Sequence, residues 1–345
     1  MEPVRLRHPA VLESLGRALR DLRISVTDRC NFRCGYCMPA ERFGPGHRFL
    51  PSGSLLDFDE IEAVARAAVR LGVEKIRLTG GEPLLRPGIE ELVQRRAGIE
   101  GLRDLALTTN GTRLAALADG LAEAGLRRVT VSLDALDDET FGRMNGVGAK
   151  VAPVLEGIEA AMRAGLAPLK VNMVVRRGLN DHAIAPMARR FRGLGATLRF
   201  IEYMDVGETN GWRPDHVVPA AEIVSRLERE VHPLEPVAPR YPGEVARRWR
   251  YDDGSGEIGI VSSVSAPFCG ACTRARITAD GVLYTCLFAT AGLDLKPVLR
   301  SGSGREEVEH TLAAVWSRRD DRYSELRGIG APSSEPKVEM SRVGG

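Results

Sequence analysis

No run in this 345-residue chain approaches the ~20 consecutive apolar residues that a membrane-spanning helix needs. Met1 to Arg20 carries charges throughout, with no apolar stretch like that of a secretory signal. Arg5, Arg7, Arg17 and Arg20 have a faint transit-peptide look, which Glu2, Glu13 and Asp21 oppose. Charge bias is also missing. With 48 basic and 46 acidic side chains the formal net charge is +2, so overall charge gives no reason to expect nucleic acid or a membrane as partner. No G-x-x-x-x-G-K-(S/T) loop is present, so a nucleotide would not be held in the P-loop manner. Cysteine is scarce, at six. In a chain without an export signal, clustered cysteines read as metal ligands rather than disulfides, which points to a reducing, cytoplasmic setting.

What is present is ample apolar material, 43% of residues, and an ordinary 27% of charged ones. At ~150 residues per domain the length allows two domains, or one large barrel with an appendage. Short apolar runs alternate with helical patterns. Strands are expected at Leu22–Val26, Lys75–Leu78, Leu105–Thr108, Val129–Leu133, Val171–Val175 and Leu198–Ile201. Helices are expected at Asp57–Leu71, through Leu114 to Ala124, around Val154–Ala164, and at Asp181–Phe191 and Glu222–Val231. Six β-α units imply parallel strands with right-handed crossovers, and polar or glycine-rich residues follow each strand, where a β/α barrel builds its active face. Four prolines between Pro233 and Pro242 read as a linker. The expected division is an extension over 1–13, a β/α core over 14–232, a linker over 233–242, a smaller unit over 243–330 and a tail over 331–345.

The six cysteines form two trios with none left over: Cys30, Cys34 and Cys37, then Cys269, Cys272 and Cys286. Three thiolates are one short of a closed structural zinc site, but they can hold a four-iron cluster with one iron free. A zinc knuckle is the bland alternative. It lacks a finger-like histidine, since His47, His232 and His310 all fall at unsuitable spacings. Arg274 and Arg276, one residue apart, would point the same way from an extended segment beside the second trio. Arg23, Lys75, Arg77, Lys170 and Arg199 also fall at strand or strand-end positions. Each alone reads as a solvated or paired charge. Together they are unusual for barrel strands, and a polyanion in the lumen would account for them.

The first trio, followed one β-α unit later by Gly80-Gly81-Glu82-Pro83, resembles the radical S-adenosylmethionine superfamily. The resemblance implies a partial (β/α)6 TIM-like barrel with a smaller C-terminal domain that carries a second iron–sulfur cluster. Further stretches narrow it to the GTP-cyclising branch of molybdenum cofactor biosynthesis: 21–34, 200–207, 272–276, 320–324 and the terminal Gly344-Gly345. In that branch two 4Fe-4S clusters and S-adenosylmethionine act on GTP. Carried over by position, Cys30, Cys34 and Cys37 hold one cluster and Cys269, Cys272 and Cys286 the other. Tyr36, Gly80, Gly81, Glu82, Ser132 and Met204 line S-adenosylmethionine. Arg23, Lys75, Arg77, Thr108, Lys170, Arg199, Arg274, Ala275 and Arg276 contact GTP. Arg23, Arg274, Arg276, Gly344 and Gly345 are the residues expected to matter for catalysis, with the double glycine reaching into the site. The resemblance also implies a flavodoxin or ferredoxin as electron donor, cyclic pyranopterin monophosphate synthase as the next enzyme, and a homodimer in some members. The competing readings are a peptide maturase of the same superfamily and a non-enzymatic iron–sulfur or zinc protein.

Overall fold

The computed structural model describes residues 11–241, 243–302, 304–327 and 336–344. Twelve strands appear among them: β1 (Asp21–Ser25), β2 (Lys75–Thr79), β3 (Asp104–Thr109), β4 (Arg128–Ser132), β5 (Lys170–Val175), β6 (Thr197–Glu202), β7 (Leu234–Val237), β8 (Arg247–Tyr251), β9 (Glu257–Val261), β10 (Arg274–Ile277), β11 (Val282–Tyr284) and β12 (Leu293–Asp294). They form one sheet, in the order β12-β11-β10-β1-β2-β3-β4-β5-β6-β9-β8-β7. The six expected strands are its middle, a partial barrel of parallel β-α units.

The C-terminal unit does not stand apart. Its β10 pairs in parallel with β1 and its β9 in parallel with β6, so it extends the barrel at both edges. The outermost strands turn back antiparallel. The proline pattern that reads as a linker over 233–242 includes β7, an edge strand in which Pro236 pairs with Trp249. Proline is tolerated there because an edge strand has one side with no ladder to complete. Pro242 lies outside the described residues. The extension over 1–13 is not wholly separate either. Glu13 is buried against Arg17, and Leu12 bridges Ala18.

Local chemistry sets the helices. Phe58–Arg70 opens on a capping box: Glu60 N donates to Asp57 Oδ1 and Asp57 N to Glu60 Oε2, both at 2.8 Å. Its Ile61, Val64, Ala65 and Ala68 face the sheet and are fully buried. Asp181–Phe191 starts as a 3-10 turn before its α-helix, Ile184–Phe191. Within the β/α core two helices, Ile89–Ala97 and Asp138–Asn145, have no counterpart in the sequence reading, and neither do the helices after residue 295, of which Arg305–Ser317 has the most residues. The two core helices are short and charged; the second is capped by Asp137, which accepts from Thr140 N at 2.7 Å.

Candidate active site

Strand register builds the floor of the site. Asp21 lies opposite both Lys75 and Arg274, and Arg23 opposite both Arg77 and Arg276. Alternate residues share a face, so two rows cross β10, β1 and β2 on one side of the sheet. The first row alternates in sign, and Lys75 is ion-paired to Asp21. The second is three guanidiniums side by side. Arg77 Nη1 donates to Thr108 Oγ1 and Thr130 Oγ1, each at 3.0 Å, and so meets hydroxyls but no carboxylate. Among the described residues, Arg23 Nε and Arg274 Nη1 are buried without a hydrogen-bond partner. Burial, aided by Arg276, pulls Arg23 well below its usual range. Burial and Arg274 bring Arg276 to about 10. Such groups are costly unless an anion completes them.

The same cavity, about 290 Å³, extends this cationic lining to Lys170 and Arg199. Arg199 Nε donates to Asn172 Oδ1 at 2.9 Å. Burial, then Arg199 and its cationic neighbours, lower Lys170 to about 6, and burial with Arg77 lowers Arg199 to about 9.

Both cysteine trios open into this one cavity. The first sits in the loop after the C-terminal end of β1. The second begins in the turn Cys269–Ala271, just before β10. Because β10 runs parallel to β1, the trios lie toward opposite ends of these strands, and the four steps of β1 itself span roughly 13 Å. Neither trio fits a single zinc ion, whose ~2.3 Å bonds would draw the sulfurs to within about 4 Å of each other. Among the described residues only His232, Asp252 and Asp253 bring three ligand atoms all within 4.8 Å. Asp321, the carboxylate beside Cys286, is engaged within the protein: it accepts from Thr285 Oγ1 (2.6 Å) and Arg319 Nε (3.1 Å).

The two loops are held differently. In the first, burial raises the thiol of Cys30 to about 11 and that of Cys34 well above its usual range. In the second, Arg274 Nη2 donates to Cys272 Sγ at 3.1 Å, and Arg319 Nη1 to Cys272 O at 2.9 Å. Burial opposes ionisation of Cys272, but these two cations prevail and bring it to about 7. Arg17 Nη1 fixes the start of the loop through Cys269 O, at 2.7 Å.

Gly80 and Gly81 let the segment after β2 close on the first cysteine loop. Gly81 N donates to Thr27 O and Glu82 N to Arg29 O, both at 2.8 Å. A Cβ at Gly80 would sit 2.5 Å from Thr27 O, and one at Gly81 2.3 Å from Arg29 O. The Glu82 carboxylate lines the cavity but is engaged within the protein. It accepts from Asn110 N and Thr109 Oγ1 at 2.7 Å and from Leu84 N at 3.0 Å, while burial raises it to about 7. Tyr36 donates to Asp134 Oδ2 at 2.9 Å, and Ser132 and Met204 complete this end of the lining.

Ala275 is the exception among the expected substrate contacts. One residue out of phase with Arg274 and Arg276, its side chain joins the hydrophobic core and does not line the cavity. The tail reaches Arg276 at the end of helix Met340–Val343. Arg276 Nη1 donates to Gly344 O at 2.6 Å and Val343 O at 3.2 Å. Gly344 has φ +68°, and a Cβ there would lie 2.0 Å from Thr79 Oγ1. Gly345 lies outside the described residues. Asn172, Tyr241, Arg248 and Arg319, which sequence reasoning passed over, also line the cavity, as do Asn110 and Asp134, which it placed after strands without giving them a role. Asn110 and Asp134 at least occupy the strand-end positions where a barrel collects its site residues.

The chain matches two family descriptions: Radical SAM superfamily over residues 24–191, and Molybdenum Cofactor Synthesis C over 196–325. It is 52% identical over 337 residues to a GTP 3′,8-cyclase of Acidothermus cellulolyticus, covering 96% of this chain and 93% of that one. A GTP 3′,8-cyclase of Xanthomonas axonopodis is 53% identical over 330 residues, covering 96% and 97%. Among solved structures, Streptococcus suis SuiB bound to S-adenosylmethionine is similar in fold, with TM-score 0.61 and 14% identity, covering 92% of this chain and 70% of that one.

Proposed function

The chain belongs to the GTP 3′,8-cyclase family of radical S-adenosylmethionine enzymes, and from that premise we propose how its residues divide the work. The activity is conversion of GTP to (8S)-3′,8-cyclo-7,8-dihydroguanosine 5′-triphosphate, a lyase reaction in molybdenum cofactor biosynthesis. The observation that carries the reading is that two cysteine trios and a row of three uncompensated arginines share one cavity.

Cys30, Cys34 and Cys37 would hold the 4Fe-4S cluster, which with S-adenosylmethionine supplies a 5′-deoxyadenosyl radical by one-electron cleavage of the sulfonium. Tyr36, Ser132 and Met204 shape the wall beside it, while Gly80 and Gly81 keep the cysteine loop close to β2. Cys269, Cys272 and Cys286 would hold a second cluster at the other end, where a guanine could take the iron left without a thiolate. Arg23, Arg77 and Arg276, with Lys75, Lys170, Arg199 and Arg274, neutralise the triphosphate; guanidinium forks suit its oxygens. Thr108 orients Arg77. Gly344 receives Arg276 through its carbonyl and fixes the direction of that fork. The division would leave the ribose between the two ends, with C3′ toward the pocket lined by Tyr36, Ser132 and Met204. Rigid placement matters, because a misplaced radical is quenched on another C–H bond. A flavodoxin or ferredoxin as donor and cyclic pyranopterin monophosphate synthase as the next enzyme belong to the same proposal.

Anaerobically reconstituted protein tests it. The expected content is about eight iron per chain, two clusters of four. With dithionite, S-adenosylmethionine and GTP deuterated at C3′, label should appear in 5′-deoxyadenosine alongside the cyclised nucleotide. About four iron, or label from any other ribose carbon, overturns the assignment.

A further inference from the structure

The loop that joins β7 to β8 runs from one edge of the open sheet toward the other. At its own edge it is tied to β8 and β9. Arg240 Nη2 donates to Glu257 Oε2 at 2.9 Å, Arg248 Nη2 to Glu257 Oε1 at 2.7 Å, and Arg248 Nη1 to Ala238 O at 2.9 Å. Within the loop, Arg240 N donates to Glu244 Oε2 at 2.8 Å. At the far edge it meets the second cysteine turn, just before β10. Gly243 has φ +82°, and a Cβ there would lie 2.4 Å from Ala271 O, between Cys269 and Cys272.

This bracing holds Tyr241 against the cavity. The residue lines it while remaining 49% exposed, and its ring belongs to neither hydrophobic cluster, so core packing does not account for its place. Two tyrosines line the cavity. Tyr36 donates to Asp134 Oδ2, whereas among the described residues the Tyr241 hydroxyl has no hydrogen-bond partner. Its oxygen lies within electrostatic reach of Arg77 and Arg199, and of Asp21, Asp104 and Arg128 at the strand starts. Those two carboxylates are already taken, Asp21 by Lys75 and Asp104 by Arg128. Among the described residues Arg77 and Arg199 have no ion-pair partner; they meet only hydroxyls and the Asn172 amide. Burial, with Glu244 and Asp21, raises the Tyr241 phenol above its usual range, so it keeps its proton and is a donor at neutral pH. An anion held by Arg77 and Arg199 would supply the acceptor it lacks.

We propose that Tyr241 is a specificity-determining residue, whose hydroxyl donates to the terminal phosphate of the bound nucleoside triphosphate. The inference rests on the proposed function, which lays the phosphates along Arg77, Lys170 and Arg199. Those cations attract every phosphate of the chain, so by themselves they grade nucleotides only by charge. A hydroxyl braced at one place is met only by a chain long enough to reach it. A diphosphate leaves that donor unmatched and forgoes a hydrogen bond to a charged oxygen. The ion pairs of Glu257 with Arg240 and Arg248 act through the loop as positioning contacts.

The test is calorimetric titration of GTP, GDP and GMP into the reconstituted protein, without reductant. Tyr241→Phe removes the hydroxyl and keeps the ring. It should raise the dissociation constant of GTP about tenfold and leave those of GDP and GMP within about twofold of wild type. In dithionite-driven turnover the same variant should raise KM for GTP by a similar factor and keep kcat. Unchanged GTP affinity in Tyr241→Phe overturns the contact. Equal weakening of all three nucleotides also overturns it, because the hydroxyl would then meet guanine or ribose. Wild type that binds GTP no tighter than GMP removes the phosphate bed of the proposed function and this contact with it. Failure of wild type to cyclise a GTP that it does prefer counts against the proposed function alone, and the titration still decides Tyr241.

Discussion

The two cysteine loops carry the same ligand set in opposite surroundings. The first is wrapped by backbone and apolar side chains, its neighbouring carboxylates Glu82 and Asp134 are themselves raised by burial, and its thiols resist ionisation. The second also holds a thiol raised by burial, Cys286 at about 12, but it is gripped by Arg17, Arg274 and Arg319, and Cys272 alone is drawn down to about 7. The difference teaches that residue type at a metal site does not fix its role; the surrounding field does. A neutral, dry pocket suits a sulfonium cofactor that must be cleaved in place. A cation-rich pocket suits an anionic nucleotide that must be drawn in and held.

The largest expected effect tests whether the two loops are separable at all. Cys34→Ser and Cys272→Ser should each leave about four iron. Only Cys34→Ser should lose 5′-deoxyadenosine formation, while Cys272→Ser should keep it and lose the cyclised product. Equal loss of both products in both variants breaks the comparison. Next is Gly344→Ala, which forces a side chain onto Thr79 in a left-handed backbone. A strain of about 1–3 kcal/mol transmitted to the Arg276 fork should lower kcat roughly ten- to a hundredfold. Iron content should not change; if kcat holds, the tail is only packing.

Glu13→Gln probes the support of the second loop. Stranding Arg17, buried beside Cys269 O, should cost about 3 kcal/mol in thermal or denaturant unfolding. Its bonds to Arg17 hold the Glu13 carboxyl at about 2, below its usual 4.5, despite burial. A lowered carboxyl stabilises the fold above pH 4.5 and loses that contribution as pH falls toward 2, so wild type and variant should converge in that window. A constant gap across it would discount the pair. The smallest effect is a proton. Lys170, lowered to about 6, is largely neutral at pH 8 in the free protein, and a bound triphosphate would raise it again. Calorimetry in buffers of different ionisation enthalpy should show uptake of up to about one proton on GTP binding at pH 8, absent in Lys170→Met, and affinity should fall as pH rises.

Much of the site could be read from local spacing. The three-and-two cysteine interval, the glycines after β2 and the alternation of Arg274 with Arg276 are short-range signals, and the coordinates bring their side chains to one cavity. Ala275 shows the limit of carrying a residue over by position, since strand parity turns its side chain into the core. Long-range pairings were not legible. Nothing near Glu257 or Arg274 announces that β9 and β10 belong at opposite edges of a barrel begun some 200 residues earlier, because register is a property of two distant segments together. The buried carboxylates of Glu202 and Asp205 looked like family signature and are structural knots. Glu202 accepts from Ala220 N and Val264 N at 2.8 Å and from Ser265 N at 2.9 Å, and Asp205 from Tyr323 at 2.5 Å.

The pairing of β1 with β10 also sets an order of events. Residues 21–25 leave the ribosome early, yet their edge stays open until residue 277 has been made. During that interval the arginine of β1 lies on an unfinished surface, and the second trio is still incomplete. Addition of the last third therefore completes the nucleotide site and supplies the second cysteine trio. A prematurely ended chain would have a cofactor loop but no substrate bed, and so no way to aim a radical.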